Sequence, residues 1–592
     1  MCSKYLKQYE EFIGAYEKIF HIKSDESIED VYNLVITVLI SKYQVRISDL
    51  ILSLAVAIKY NYRSIDIYVQ ILNKILTKYS ITRLPDDPLT DYLAHCNLEL
   101  VRDADNIFQI KLTVNSFPKE DDVKYFIMYD QIDKFKEYTT QNPLDDIEIN
   151  IPLYSNIRLL EACAYYGSAN IFNFLISNFH CEITQKCFQL SLIGGNTDII
   201  NECLKHYEID SACFDYIVAS HNNNFLKYIF DRDLYELQYF NFEELIYAQN
   251  LKAVFLMYEK DKNSIIPWCA GFSQTLDLIK TEDLNLSNTT DRSYILHYAV
   301  KFNNINIVKF ILESLDKFPI DINFLGIGGK TALYCAATNN NKEIAELLIS
   351  YGAEINDCGG SNPLDEAASH NSLDVAKLLI MHGADVNSNE NEDMETALHW
   401  ATIFDYKEMV DLLLSHGADP NKQDRNMMSP LHLAVYKNQK DIAEVLLSHG
   451  ADPTKQDSNK SNPLQYAVSK NDKNLVEIII NHGINVNLNS YEGENAIRTA
   501  VLFNNKEITE LLLLHGVNVN SRKGKAGKAI LHYLFEKRNI DMIELILSHG
   551  ANVNIKEKYT RNTCLHQAVN DSFLEGIEIL LLHGAKLDPQ NK

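Results

Sequence analysis

Apolar residues return every three or four positions along most of the chain, the spacing of one buried face on a helix. Residues 441–447, DIAEVLL, show it in compact form, with Ile442, Leu446 and Leu447 on one side. Such segments are short, come in pairs and alternate with polar stretches, so the pattern predicts helix hairpins. Residues 159–179, 187–207 and 213–233 share this rhythm and align with one another, Gly167 and Gly195 falling 28 residues apart in matching places. Residues 242–261 and 265–283 continue it more weakly, and 121–140 reads as two further short helices. Residues 1–115 lack the paired rhythm. Four helical stretches there, 5–20, 27–43, 47–60 and 64–79, predict a small bundle, with Ser24 and Ser27 as capping candidates for the second.

From about residue 286 the rhythm becomes a strict repeat. Hexads running from YILHYA to TCLHQA are anchored on Leu296, Leu333, Leu364, Leu398, Leu431, Leu464, Ile497, Leu531 and Leu565, spaced 37, 31, 34, 33, 33, 33, 34 and 34 residues apart. A glycine keeps pace after the second helix of the second to ninth repeats, from Gly352 to Gly584, in endings such as HGADPN. A fixed period of this length marks stacked helical repeats. In the fifth repeat Ser429 suits the N-cap of the first helix, Pro430 its first turn, Leu431 and Ala434 its buried face. Gly450 suits a left-handed helix end, and ADPTKQDSNK is the turn whose tip projects.

Over residues 286–588 the hexads, the period and the HGADPN-like endings resemble the ankyrin repeat. The resemblance implies an all-α ankyrin-repeat solenoid of about nine helix-turn-helix units with projecting turns, binding a protein partner on its concave turn and first-helix surface. The middle of the chain resembles a domain of unknown function that precedes ankyrin arrays in many trichomonad proteins. EACAYYGS, EITQKC, LIGGNTDIINECLKH and IVASHNNNFLKYIF carry that likeness, which implies degenerate ankyrin-like helix pairs and no assigned chemistry. The expected organisation is a helical N-terminal domain at 1–115, degenerate pairs at 116–285 and the array at 286–588. The first of these is expected to cap one end of the solenoid, since such arrays otherwise expose an apolar face.

One stretch tests this frame. GIGGKT, Gly326–Thr331, has the composition of a phosphate-binding loop, but the loop needs glycine where Phe324 stands. The same slot recurs in every repeat with unrelated residues, including GKAGKA at 524–529, so GIGGKT is expected to be a turn tip with Thr331 as the helix cap.

Composition narrows the chemistry. The chain has 592 residues and a net charge of −25, which disfavours nucleic acid and anionic membrane as partners. Its 11 cysteines show no CxxC or zinc-finger spacing. Cys163, Cys187, Cys213 and Cys335 fall in apolar helical patterns, as small buried thiols in a reducing compartment do. MCSKYLKQYEEF has no apolar signal core and no apolar run is long enough to span a bilayer, so a cytoplasmic protein is expected. With six residues after Lys586, no ligase-recruiting box of the kind some ankyrin adaptors carry is expected. Twelve of the 18 histidines occupy repeat slots, one per repeat in each row, so no convergent metal site is expected. The rows are candidates for titration near pH 6. No nucleophile–base or paired-carboxylate arrangement stands out, and no enzyme, cofactor or small-molecule substrate is expected.

The tips vary, and variable loops on a rigid scaffold usually carry binding. The fourth is acidic (Glu390, Glu392, Asp393, Glu395), the next three are mixed (Arg425, Met428, Tyr491), and the last two are basic (Arg522, Lys523, Lys525, Lys528, Lys556, Lys558, Arg561). On the first helices Trp400, Tyr436 and Tyr466 suit either core or groove. Asp365, Tyr334, Gln465 and Arg498 replace the hexad histidine, and Ala397, Ala496 and Cys564 its proline, so those repeats are expected to be less rigid than the fifth. The function expected is a scaffold or adaptor for unidentified protein partners. The alternative is a signalling or host-directed effector whose N-terminal domain carries a separate activity.

Overall fold

Each helix pair is built by the same local signals. In the fifth repeat the first helix, Pro430–Tyr436, begins after Ser429, whose side chain caps it, and buries Leu431 and Ala434. Asn438 then turns the chain at φ 62°, a left-handed conformation that asparagine tolerates. The second helix, Lys440–Ser448, buries Ile442, Ala443 and Leu446. It stops at Gly450, φ 86°, where Gly450 N donates to Leu447 O (3.1 Å) and Ala451 N to Leu446 O (3.0 Å). Those two bonds satisfy carbonyls that the helix end would otherwise leave unpaired.

The computed structural model describes residues 2–81, 89–103, 107–112, 118–144, 147, 149–234, 242–260, 269–281, 289–316, 320–356, 362–488, 495–523 and 527–587. Among the described residues the fold is mostly helical with no closed sheet. It comprises two compact bodies, Met1–Ile307 and Val308–Lys592, divided within the second helix of the first repeat, Ile305–Glu313.

The first body holds α1 (Cys2–Gln8), α2 (Glu10–Phe20), α3 (Ile28–Leu34), α4 (Ile47–Tyr60) and α5 (Ile65–Lys78). Ser27 caps α3, which runs into a π-helical stretch, Val35–Lys42. A hairpin of β1 (Leu98–Arg102) and β2 (Phe108–Leu112) also belongs here, where the hydrophobic pattern had indicated helices alone. Its Ile110 exchanges two bonds with the Asn73 side chain of α5, Gln109 Nε2 donates to Thr77 Oγ1 (3.1 Å) and Phe108 N to Ile81 O (3.0 Å), so β2 is anchored along the end of α5. Helix pairs follow from Val123, among them Leu159–Tyr166 with Ala169–Phe179, Gln185–Gly194 with Thr197–Cys203, and Ser211–Ala219 with Asn223–Asp231. At Gly194 the neighbouring pair comes so close that a Cβ would sit 2.8 Å from the Gly167 amide and nearer still to the Ala164 carbonyl, so only glycine fits. Cys163, Cys187 and Cys213 are buried in these pairs as expected, whereas Cys335 is half-buried.

The N-terminal helices lie along these pairs instead of covering one end. α4 and its flanks run past the ends of successive first helices. Arg46 Nη2 donates to Phe302 O (3.3 Å), Ser53 Oγ to Tyr247 O (2.7 Å), and Arg63 Nη2 to Tyr166 O. The acceptors are helix-terminal carbonyls, where donors and cations are favoured. Lys59 pairs with Glu244 at 2.5 Å, both side chains largely out of solvent, and Phe20 stacks on buried His221 at 4.1 Å. Burial pushes the His221 imidazole down to about 3.

Candidate functional site

In the second body the tips are built by aspartates that the composition alone did not single out. Asp424 Oδ1 accepts from Asn426 N (2.9 Å) and Met428 N (2.7 Å). One repeat later Asp457 Oδ1 accepts from Asn459 N (2.9 Å) and Ser461 N (2.8 Å), and its Oδ2 from Tyr466 Oη (2.5 Å). Both aspartates are buried. The repeated KQD before each tip was the available signal. Neighbouring tips join through the backbone, Arg425 N to Asp393 O (2.8 Å) and Ser458 N to Asn426 O (3.0 Å).

The hexad histidines tie tip to helix. His399 Nδ1 accepts from Thr396 N (3.1 Å), and its Nε2 lies 3.2 Å from Met428 O of the next repeat. His432 repeats this with Ser429 N (3.1 Å) and Ser461 O (3.2 Å). An amide that donates to Nδ1 leaves Nε2 to carry the hydrogen, so both rings are neutral donors. Burial lowers the affinity of His399, His432 and His532 for protons, which favours the neutral ring. His532 lacks a capping neighbour because Ala529 stands there, and its Nδ1 has no hydrogen-bond partner. The second row sits at helix ends as expected, His416 Nδ1 to Leu412 O (2.9 Å) and His449 Nδ1 to Val445 O (2.9 Å).

Replacing the hexad histidine does not remove the link between repeats. Gln465 Nε2 reaches Leu488 O (3.4 Å) and Arg498 Nη1 reaches Lys528 O (3.4 Å). Asp365 accepts from Asn391 Nδ2 (3.3 Å) on the next tip. A second ladder runs beside the first. Asn421 Oδ1 accepts from Asp452 N (2.7 Å) while its Nδ2 donates to Gly450 O (2.9 Å), and Asn387, Asn487, Asn520 and Asn554 repeat the arrangement. Thr454 stands in that row and turns its hydroxyl on Asp452 Oδ1 (2.7 Å).

The candidate residues separate on this frame. Glu390, Glu392 and Arg425 are exposed, and Met428 is half-buried with its carbonyl engaged by His399. Glu395 is half-buried, and burial and Asp393 raise its carboxyl above the usual range. Trp400 is half-buried and stacks on exposed Phe404 at 6.1 Å. Arg522 opens a two-residue strand paired with Lys528–Ala529. Lys528 is tied to Glu536 and, at 3.6 Å, to Glu557, which removes it from the projecting charge. Arg522, Lys558 and Arg561 are exposed and Lys556 is half-buried. Tyr491 and Lys525 lie outside the described residues. Exposed Met394, Met427 and Tyr559 also stand on the tips, where the charge pattern had drawn attention away from them.

GIGGKT closes on itself. Gly326 N donates to Lys330 O (2.9 Å), Gly329 N to Gly326 O (3.0 Å), and Thr331 Oγ1 accepts from Tyr334 N (3.1 Å) as the cap. The Lys330 ammonium lies 4.7 Å from the Tyr334 ring centre. Among the described residues no group of three or more His, Cys, Asp or Glu could hold a metal ion, and no helix is long and apolar enough to cross a membrane.

Comparison with known families finds a domain of unknown function (DUF3447) over residues 179–258. It also finds ankyrin repeats (3 copies) in five overlapping matches, 245–357, 296–390, 364–457, 431–523 and 515–591, which together cover more than half of the chain. No curated protein matches the sequence significantly.

Proposed function

The chain belongs to the ankyrin-repeat family, and from that premise we propose that it is a scaffold or adaptor that holds a protein partner on its tips and first helices. Ankyrin repeats are in general protein–protein interaction modules. The observation that carries the reading is the internal hydrogen bonding of the fifth and sixth tips. Buried Asp424 and Asp457 consume the turn amides, and tip-to-tip backbone bonds fix the spacing, while Arg425, Met427 and the acids of the fourth tip project outward. A surface ordered before binding loses little freedom on binding, which is how modest contacts give affinity.

The charge along the tips selects the partner. Glu390, Glu392 and Asp393 form an acidic stretch, and Arg522, Lys556, Lys558 and Arg561 a basic one, so a partner of opposite polarity fits in one direction. Tyr491 and Lys525 belong to the same proposal by their place in the repeat. The mechanism is binding without turnover. The test is affinity capture with the full chain against a variant carrying Arg522→Glu, Lys556→Glu, Lys558→Glu and Arg561→Glu, after matching thermal melts. A partner held by the first and lost by the second supports the reading. An unchanged partner set removes the basic tips from recognition.

A further inference from the structure

At the opposite end of each first helix from the tips, Phe302, Phe404 and Phe503 hold the same place in the first, fourth and seventh repeats. Each precedes a left-handed residue, Asn303, Asp405 and Asn504, with φ of 55°, 61° and 54°. In the first body this row is covered. α4 crosses it, and Phe302 is half-buried, its carbonyl held by Arg46 and its ring 5.8 Å from that of Tyr247. In the second body the equivalent row is bare. Phe404 is 46% exposed and Phe503 59%, and Tyr436 and Leu502, one position earlier in their repeats, 50% and 49%. A shallow, open depression lies beside Phe503, lined also by Asn471 and Lys473.

The charges beside the bare row are not balanced. Lys407, Lys440 and Lys473 each reach an acid of the following repeat, Asp441 (3.8 Å), Asp472 (2.8 Å) and Glu507 (3.3 Å). Lys437 and Lys470 stand outside those pairs, exposed between the aromatic residues, with the Lys470 ammonium 4.3 Å from the Tyr436 ring centre. Asp405, at the Phe404 end, carries the opposite sign.

We propose that this row, Phe404–Tyr436–Lys470–Phe503, docks an acidic amphipathic helix of a partner protein, in the way that α4 covers the equivalent row of the first body. The apolar face of the helix meets Phe404, Tyr436 and Phe503, and its carboxylates meet Lys437 and Lys470. Three repeat steps at helix-packing distance correspond to a helix of about 16–20 residues. The proposal rests on the binding reading above and adds a second surface to it.

The experiment pans a display library of 18-residue helical peptides, apolar at i, i+4, i+7 and i+11 with randomised flanks, against the full chain. Peptides with Asp or Glu flanks are expected to dominate. Their binding is expected to fall at least tenfold on Phe404→Ser/Phe503→Ser and on Lys437→Glu/Lys470→Glu, and to be unchanged by the tip reversals. These side chains are exposed, and if the serine pair lowers the melting temperature the lysine pair carries the comparison. No enriched peptide, enrichment without acidic flanks, or equal binding by the row variants would overturn the proposal. Peptides lost on the tip variant alone would keep the tip reading and remove the row. A concentration-dependent dimer abolished by the row variants would assign the surface to a second copy of this chain and overturn the partner helix.

Discussion

His399 and His432 each do three jobs with one ring: they accept from the cap amide, donate to the next tip and fill a buried slot. Only the neutral ring can do all three. Their folded-state proton affinity lies below that of an unfolded histidine, near 6.5. Between the two values the unfolded chain holds more protons, so stability rises with pH and levels off above about 6.5. The unfolding free energy of the full chain, read from urea titrations, is therefore expected to fall as pH drops from 6.5 to 5, by up to about 1.4 kcal/mol per pH unit for each such imidazole. Gln465 shows that glutamine keeps both bonds in this slot. His399→Gln/His432→Gln is expected to flatten the dependence, and an unaltered slope would place it elsewhere.

Short helices of seven and nine residues would not persist alone, and their stability comes from neighbours. The asparagine ladder is one such neighbour term, and its gap lies at Thr454. Thr454→Asn is expected to form the missing bonds and raise stability by about 1 kcal/mol, read as a higher urea midpoint with an unchanged slope. No gain would mean that the threonine's own turn already supplies as much. The gap was visible in the sequence, since GADPT interrupts a run of endings in Asn, but its meaning was not. The ladder joins residues about 30 positions apart, and only the stacked backbone shows that both atoms of one amide are used.

For the molecule as a whole, the first body turns its N-terminal helices into a covering for its own helix pairs. The Lys59–Glu244 pair locks that covering, with side chains 18% and 12% exposed. Lys59→Ala is expected to leave the largely shielded Glu244 without its cation, at a cost of about 1–3 kcal/mol. Hydrogen exchange is then expected to rise together in α4 and in the helix Phe242–Tyr247. Lys59→Met with Glu244→Leu is expected to recover most of the loss, and a failure to recover would mean that the pair does more than fill space.

The sequence by itself determined the repeat, its register, its caps and the failure of GIGGKT as a nucleotide loop, because those depend on residues a few positions apart and recur nine times. It also marked the charged residues of the tips, such as Glu390, Glu392, Arg425, Lys558 and Arg561, but passed over the exposed Met394, Met427 and Tyr559. Tertiary structure decided how they are used: that Met428 gives its carbonyl to a histidine, that Lys528 is neutralised by Glu536 and Glu557, and that the N-terminal helices lie alongside the pairs. It also decided that Phe302 is covered while Phe404 and Phe503, in the same place of later repeats, are not. Identical local patterns fold into identical local structures, whereas exposure and pairing depend on whatever distant segment packs above them, and no spacing along the chain encodes that.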